Sequence, residues 1–550
     1  MLTQFRRDSG NRYSSLLNAV MFVSMLATTA LVRAATLPAM PQTFDTTYSS
    51  TTGNVINVNN GGNLQSALNS AQLGDTIVLQ AGATFTGPIS LPKKTTGTGW
   101  IYIQSSAYSN LPAPGTRVGP TDAANMPKIV ATSGGGTTVQ TVSGAHHFRF
   151  VGIEFKPVSG NFLYNLISIG NGESSVASLP NNITFDRCYI HGDASVGGRR
   201  GVAMDGTYIA VVDSYISDFK EAGADTQALW AHSTPGPLKI VNNYLEAAGE
   251  NVMFGGADPG IANVVPSDIE IRRNHFFKPL SWMGSSWSVK NLLEFKNARR
   301  ALVEGNRFEN NWAASQQGFS LLLTPRNQNG GAPWSAVQDI TIRLNTFLNL
   351  GQGINVSGRD DTYSSQVTSR VLIQDNVINV SNLGSSGGRM FQLVNGPADV
   401  TIDHNTGFCT SSLTFAENSP KADGFLFQNN LVTEGDYGFT GTGSGNAINT
   451  LNTYFTNWQF LKNAIIGGSS SNYPTGNYFP SGISSVGFAN YSGGNYHLAA
   501  TSSLKGLGTD GKDIGANIDA VTAAASVSAV APPPVSIPSP PKGLSTTVQQ

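Results

Sequence analysis

Five short runs between residues 228 and 357 carry the side chains best suited to chemistry. They are Ala228-Leu-Trp-Ala-His232, Asn251-Val-Met-Phe-Gly255, Leu292-Leu-Glu-Phe-Lys296, Ser320-Leu-Leu-Leu-Thr324 and Ile354-Asn-Val-Ser357. Read as strands, their alternation sends Leu229, Leu293, Phe295, Leu321, Leu323 and Val356 to one face. Trp230, His232, Glu294, Lys296, Thr324 and Asn355 go to the other. Asp258, Asn297, Arg326, Asn327, Arg359, Asp360 and Asp361 follow just past the strand ends. On this reading Lys296, Arg326 and His232 are the candidates for proton transfer and charge stabilisation. Glu250, Asp258 and Glu294 offer the hard oxygen ligands that Ca²⁺ takes. Trp230, Glu294, Trp312, Asn327 and Arg359 are the candidate substrate contacts. Five of the seven tryptophans fall between Trp230 and Trp334. Aromatic faces beside carboxylates and guanidiniums are what a carbohydrate groove requires.

Each of these residues also has a bland reading. Glu294 and Lys296 can be a surface ion pair, Arg326 a clamp on a loop carboxylate and His232 a hydrogen-bonded structural histidine. Asp360 and Asp361 can open a solvated loop. The case for a site rests on the whole set mapping to one stretch and one flank.

The elements that must position this set come from a repeat. An apolar residue, two mostly polar residues, Asn, any residue and an apolar residue recur at Asn243, Asn274, Asn306, Asn345, Asn376 and Asn430, with a shortened copy at Asn405. Cys188 and Ser214 replace the Asn in two earlier copies. Steps of 25 to 39 residues separate the nine. A fairly constant step with variable loops marks a solenoid. The short alternating strands, as in Asp268-Ile-Glu-Ile271, do not fit a helix of period 3.6. They fit a parallel coil in which each repeat is one turn and equivalent residues stack about 4.8 Å apart. The stacked Asn amides would form an internal ladder. The expected fold is all-β: a single parallel β-helix over residues 54–520. A short amphipathic helix at Asn63–Gln72 would cap its open end.

Composition agrees. The chain has 61 Gly and only 12% charged residues, which argues against helical bundles and coiled coils. A net charge of −1 gives no sign of a nucleic-acid partner. Arg6, Arg7 and Arg12 precede an apolar run from Leu16 to Val32, which reads as a secretory signal peptide over residues 1–34. A secreted protein with no membrane attachment after cleavage follows. Residues 35–53 read as a linker, and residues 521–550, rich in Ala, Ser and Pro, as a disordered tail. Cys188 and Cys409 would lie about seven turns apart, far beyond disulfide reach, so both read as reduced.

The ladder, the capping helix and the closing segment Gly508-Thr-Asp-Gly-Lys-Asp-Ile-Gly515 resemble the right-handed parallel β-helix proteins of the pectate-lyase-like superfamily. The resemblance implies cleavage of an acidic polysaccharide by β-elimination, in which the uronate carboxylate is neutralised by Ca²⁺ or Arg and a base removes the neighbouring proton. Lys296 next to Arg299 and Arg326 would have the lowered pKa a lysine base needs. The layout is similar by residue type to the alginate-lyase and chondroitinase-B kind of β-helix lyase. The Arg-x-Pro-x-x-Arg of pectate lyases and the Gly-His-Gly of polygalacturonases are absent. Two alternatives to the lyase stay open: a glycoside hydrolase pairing carboxylates, and a non-catalytic glycan-binding β-helix.

Overall fold

A computed structural model describes residues 35–131, 136–170 and 172–526. The expected signal peptide lies outside them, as does the tail beyond residue 526. The described chain is a right-handed parallel β-helix. Three long parallel sheets run its length, of 15, 12 and 13 strands among the described residues. Successive turns add one strand to each: Leu238–Val241, Tyr244–Ala247 and Glu250–Phe254, for example, join the 15-, 13- and 12-stranded sheets in order. The interior is one continuous apolar core in which like residues stack. Phe276, Phe308 and Phe347 lie parallel at centroid spacings of 4.5 and 4.6 Å.

The Asn ladder forms the corner between the 15- and 13-stranded sheets. Asn274 Oδ1 accepts from Asn243 N at 2.9 Å and from Asn243 Nδ2 at 3.0 Å. The same pair of bonds repeats at Asn306, Asn345, Asn376, Asn405, Asn430 and Asn463. Ser214 continues the stack, taking the backbone N–H of Cys188 on its hydroxyl and donating its own N–H to Asn243. The left-handed residue at the bend is not the ladder Asn but the one before it: Asn242, Arg273, Gly305, Leu344 and Asp375 all have φ between 52° and 66°. The side chain that pays for the bend and the backbone that makes it are adjacent residues. That is how Leu344, an unfavourable left-handed residue, is held there.

The helix Leu64–Ser70 starts at the Asn63 cap and buries Leu64, Ala67 and Leu68 in the same core. Residues 35–53 are not a free linker. They run as an extended strap along the outer face of the 15-stranded sheet. Ala39 N donates to Asp339 at 3.1 Å, Gln42 N to Asp268 at 2.9 Å, and Thr46 O accepts from Arg149 at 2.6 Å. The tail boundary also shifts, because residues 521–525 complete the helix Ile518–Ala525. The C-terminal segment folds back on the coil, with Ala516 N bonded to Thr406 Oγ1 and Asn517 N to Asp375. Cys188 and Cys409 are both free and buried, and burial pushes each thiol up to about 12. No helix among the described residues is long and apolar enough to cross a membrane.

Candidate functional site

The outer face of the 12-stranded sheet holds two registered rows of side chains. In one, Arg200, Gln227 and Glu250 are cross-strand neighbours. In the other, Trp230, Met253, Glu294, Leu322, Asn355, Gln392 and Phe415 succeed one another turn by turn. Parallel pairing fixes this. Inward Leu229, Val252 and Leu293 lock each turn into the core, and the residue after each, Trp230, Met253 and Glu294, faces out.

At the middle of these rows sits a charged cluster. Glu250 and Glu294 are both 0% exposed. Glu250 Oε2 accepts from Gln227 Nε2 at 2.7 Å, and Gln227 in turn accepts from Arg200 at 3.0 Å. Glu294 Oε1 accepts from Asn291 Nδ2 at 2.8 Å. The other oxygen of each carboxylate has no hydrogen bond. Only ammonium groups approach: Lys296 Nζ stands 3.1 Å from Glu294 Oε2, and Lys290 Nζ 4.0 Å from Glu250 Oε1. Lys290 also pairs with Asp225. Beneath them Lys278 is wholly buried. Its ammonium bonds the carbonyls of Ala247, Ala248 and Gly249 and the Asn251 side chain, which fixes the corner leading into the Glu250 strand.

The electrostatics follow from burial. Desolvation, then the charges of Glu294 and Asp225, push the Glu250 carboxyl up to about 8. Burial pulls the Lys278 ammonium down to about 7, against the neighbouring carboxylates. Lys296 moves upward: burial opposes its charge, but Glu294 and Glu250 outweigh it. This corrects the sequence expectation. Arg299 lies on a strand of a different sheet and Arg326 turns to other partners, so carboxylates surround Lys296 and hold it as an ammonium.

The other expected residues are placed as follows. Arg326 donates its backbone N–H to Lys296 O, one turn back, while its guanidinium binds Asp360 at 2.9 Å and Asp361 at 2.5 Å. Asn327 organises the same loop through Asp360, Ser364 and Ala332. Asp258 accepts from the backbone N–H groups of Asn329 and Gly331, so it ties two loops together and does not join Glu250 and Glu294. Arg359 caps the carbonyls of Asn395 and Gly396. Trp312 is 2% exposed, packed with Trp282 and Val289 under the loops beside the cluster, so its ring is covered. Trp230 lies sandwiched: the Arg200 guanidinium sits 4.1 Å above its ring and His232 stacks at 4.2 Å. His232 Nδ1 faces Asp205 at 2.6 Å, off a good hydrogen-bond angle.

Sequence reasoning missed Arg200, Asp225, Gln227, Lys278, Lys290 and Asn291. A signal existed for three of them. Arg200, Gln227 and Asn291 each stand two residues before an inward apolar residue, at Val202, Leu229 and Leu293. Lys278 and Asp225 reach the cluster from turns and loops, which alternation does not register.

Solved structures share this architecture. The chain superposes on the family 6 polysaccharide lyase AlyGC, an alginate lyase, with a TM-score of 0.51 at 15% identity, over 84% of this chain and 58% of that one. The shared feature is the parallel β-helix fold. This chain thus spans somewhat over half the length of AlyGC. A mannuronic-acid-specific family 6 lyase from human gut microbiota matches with a TM-score of 0.49 at 13% identity, over 78% of this chain and 91% of that one. The family 87 α-1,3-glucanase of Streptomyces thermodiastaticus matches at 0.44 and 12%, over 80% and 69%. No family model and no curated protein matches the sequence.

As to a metal, no group of three or more His, Cys, Asp or Glu among the described residues has metal-holding geometry. The donors nearest to such a set are two buried carboxylates, Glu250 and Glu294, whose second oxygens face the Lys290 and Lys296 ammoniums. Burial first, then the charges of Glu294 and Asp225, raises the Glu250 carboxyl.

Proposed function

We propose that the protein is a secreted enzyme that cleaves an acidic polysaccharide by β-elimination at the Glu250–Glu294–Lys296 cluster. The observation that carries this reading is the pair of fully buried carboxylates whose second oxygens face lysine ammoniums, Lys296 at 3.1 Å from Glu294 and Lys290 at 4.0 Å from Glu250, on the outer face of the sheet. Burying such groups is expensive unless function needs them. The β-helix fold of AlyGC, an alginate lyase, makes a polyuronate the first substrate class to try.

In this reading Lys290 and Lys296 attract and orient a uronate carboxylate. The departing glycosidic oxygen is protonated by the ammonium that forms when Lys296 takes the neighbouring proton. Lys296 is the base for the proton beside the uronate carboxylate. It can act so only when the charge of Glu294 is taken up by another cation, since Glu294 keeps it protonated. A Ca²⁺ held by Glu250 and Glu294 would supply that neutralisation and polarise the uronate carboxylate. Arg326 shapes the adjoining loop.

The test is product masses from a panel of alginate, polygalacturonate and chondroitin sulfate, with and without chelator. Unsaturated ends that vanish with chelator and in Lys296→Ala support elimination. A plain reducing end would turn the assignment to hydrolysis. That second reading has its own support: a raised Glu250 beside a second carboxylate is also the acid-and-partner pattern of glycosidases.

A further inference from the structure

The two rows do not stop at the cluster. Four turns on from Glu294, through Leu322, Asn355 and Gln392, the second row reaches Phe415. The first row, continued at the same offset, brings Arg389 beside Gln352. There the sheet face opens into a groove lined by Gln317, Gln352, Arg389, Phe415, Tyr437 and Thr440. The Arg389 guanidinium lies 3.9 Å above the Phe415 ring and donates to Gln392 Oε1 at 2.7 Å. Although the Glu417 charge reaches it, no carboxylate among the described residues stands within ion-pair distance of it. Arg199, Arg300, Arg326, Arg343 and Arg370 each have such a partner. Tyr437 is 68% exposed at the groove's edge. Gln352, 4% exposed, leaves its carbonyl oxygen without a partner at the floor.

We infer that this groove is a second anion-reading subsite, which holds a uronate carboxylate of the same polysaccharide chain on Arg389 while Tyr437 stacks on a sugar face. Charge and spacing both point there. An unpaired guanidinium, pre-positioned by an aromatic ring, is a bidentate receptor for a carboxylate. Each turn advances by about 4.8 Å, so the three turns from Glu294 to Arg389 span about 14 Å, first to fourth sugar of an extended chain, and the four turns from Glu250 about 19 Å. Between them the face carries Leu322 and then the polar pair Asn355 and Gln392, with Gln392 Nε2 donating to Asn355 Oδ1 at 2.9 Å. The inference rests on the proposed polyuronate substrate but not on the elimination chemistry.

The experiment is titration calorimetry with trimers and hexamers of mannuronate and of galacturonate, in the Lys296→Ala background so that no probe is consumed. A hexamer spans cluster and groove; a trimer does not. Arg389→Ala should weaken at least one acidic hexamer about tenfold, the weight of one charge-assisted hydrogen-bonding group. It should leave the trimer, and a carboxyl-reduced hexamer, within about twofold. Arg389→Lys should recover part of the loss, which separates lost charge from lost packing. Tyr437→Ala should weaken acidic and reduced hexamers alike. The inference fails if Arg389→Ala leaves every hexamer unchanged, if the trimer loses as much as the hexamer, or if no acidic hexamer binds. The catalytic reading fails separately: Arg389-dependent binding with no unsaturated product keeps the subsite and removes the lyase.

Discussion

Two buried polar systems in this molecule are built on opposite terms. Along the corner of the coil each ladder Asn, 0–1% exposed from Asn243 to Asn430, gives and receives on every side. Its amide nitrogen reaches a carbonyl one turn back, and its oxygen takes two N–H groups. On the outer face of the 12-stranded sheet, Glu250 and Glu294 are equally buried yet each leaves one oxygen without a hydrogen bond. A polar group buried with all its partners stabilises. One buried without them costs free energy, and sites of chemistry are where proteins tolerate that cost. The ladder is therefore architecture and the carboxylate pair is the place to look for function.

The comparison breaks hardest if the carboxylate cluster proves inert. Lys296→Ala should cut turnover of the susceptible polyuronate by at least about 100-fold, the usual weight of a positioned acid or base. Its melting temperature should fall as well, because Glu294 loses the ammonium that balances its buried charge, so turnover is compared per folded molecule. Steady-state kinetics beside a thermal melt checks both. Full activity in Lys296→Ala would move the chemistry off this cluster.

The ladder should show a loss of stability alone. Asn306→Leu removes the acceptor for Asn274 N–H and the donor to the Ile271 carbonyl. Each orphaned group should cost about 1–3 kcal/mol. Denaturant unfolding should register the loss while kcat of the folded fraction is unchanged. A mutant as stable as wild type would mean the ladder merely accompanies the fold.

The two systems were also unequally legible. The Asn copies and the alternating strands lie within six consecutive residues, so the repeat can be read by eye, and the fold with it. The site is assembled across turns. Glu250, Glu294 and Lys296 were found because they sit on or next to alternating strands. Asp258 and Trp312 were drawn in by sequence proximity, but loop paths that no periodicity fixes carry Asp258 to Asn329 and Trp312 under Trp282. The sign of the Lys296 shift was misjudged for the same cause. Arg299 is near in sequence but belongs to another sheet, while Glu250, more than forty residues away, is near in space.

A smaller effect tests whether the cluster's excess charge is real. The folded Glu250 carboxyl titrates at about 8, against an ordinary 4.5. Between those values the folded state holds a proton that the unfolded state has released. Stability should therefore fall as pH rises through that window. Glu250→Gln, which keeps the Gln227 contact region filled but carries no charge, should flatten the fall. Calcium should raise the wild-type melting temperature most at the alkaline end of the window and do little for Glu250→Gln, since a ligand stabilises only the state that binds it. Melting curves across pH with calcium or chelator decide this without any activity assay. Parallel slopes in wild type and Glu250→Gln would show that the carboxyl is ionised throughout and the pair already balanced by its lysines.

The smallest expected effect concerns Arg326, and it separates the cluster from its surroundings. Its guanidinium is committed to Asp360 and Asp361, and only its backbone touches Lys296. The pair is partly exposed on the Arg326 and Asp361 side, so screening reduces what it is worth. Asp360, however, is 0% exposed in its side chain and also receives Asn327 N. Removing the guanidinium leaves that carboxylate with backbone and water partners alone. Arg326→Ala should thus loosen the 326–332 loop and raise KM a few-fold, with kcat changed far less than in Lys296→Ala. An Asp360→Asn variant should reproduce the same KM shift if the loop is the cause, because it breaks the same clamp from the other end. If Arg326→Ala instead lowers kcat as much as Lys296→Ala while Asp360→Asn does not, the guanidinium must leave its clamp to meet the substrate. Arg326 would then belong with the two carboxylates and Lys296.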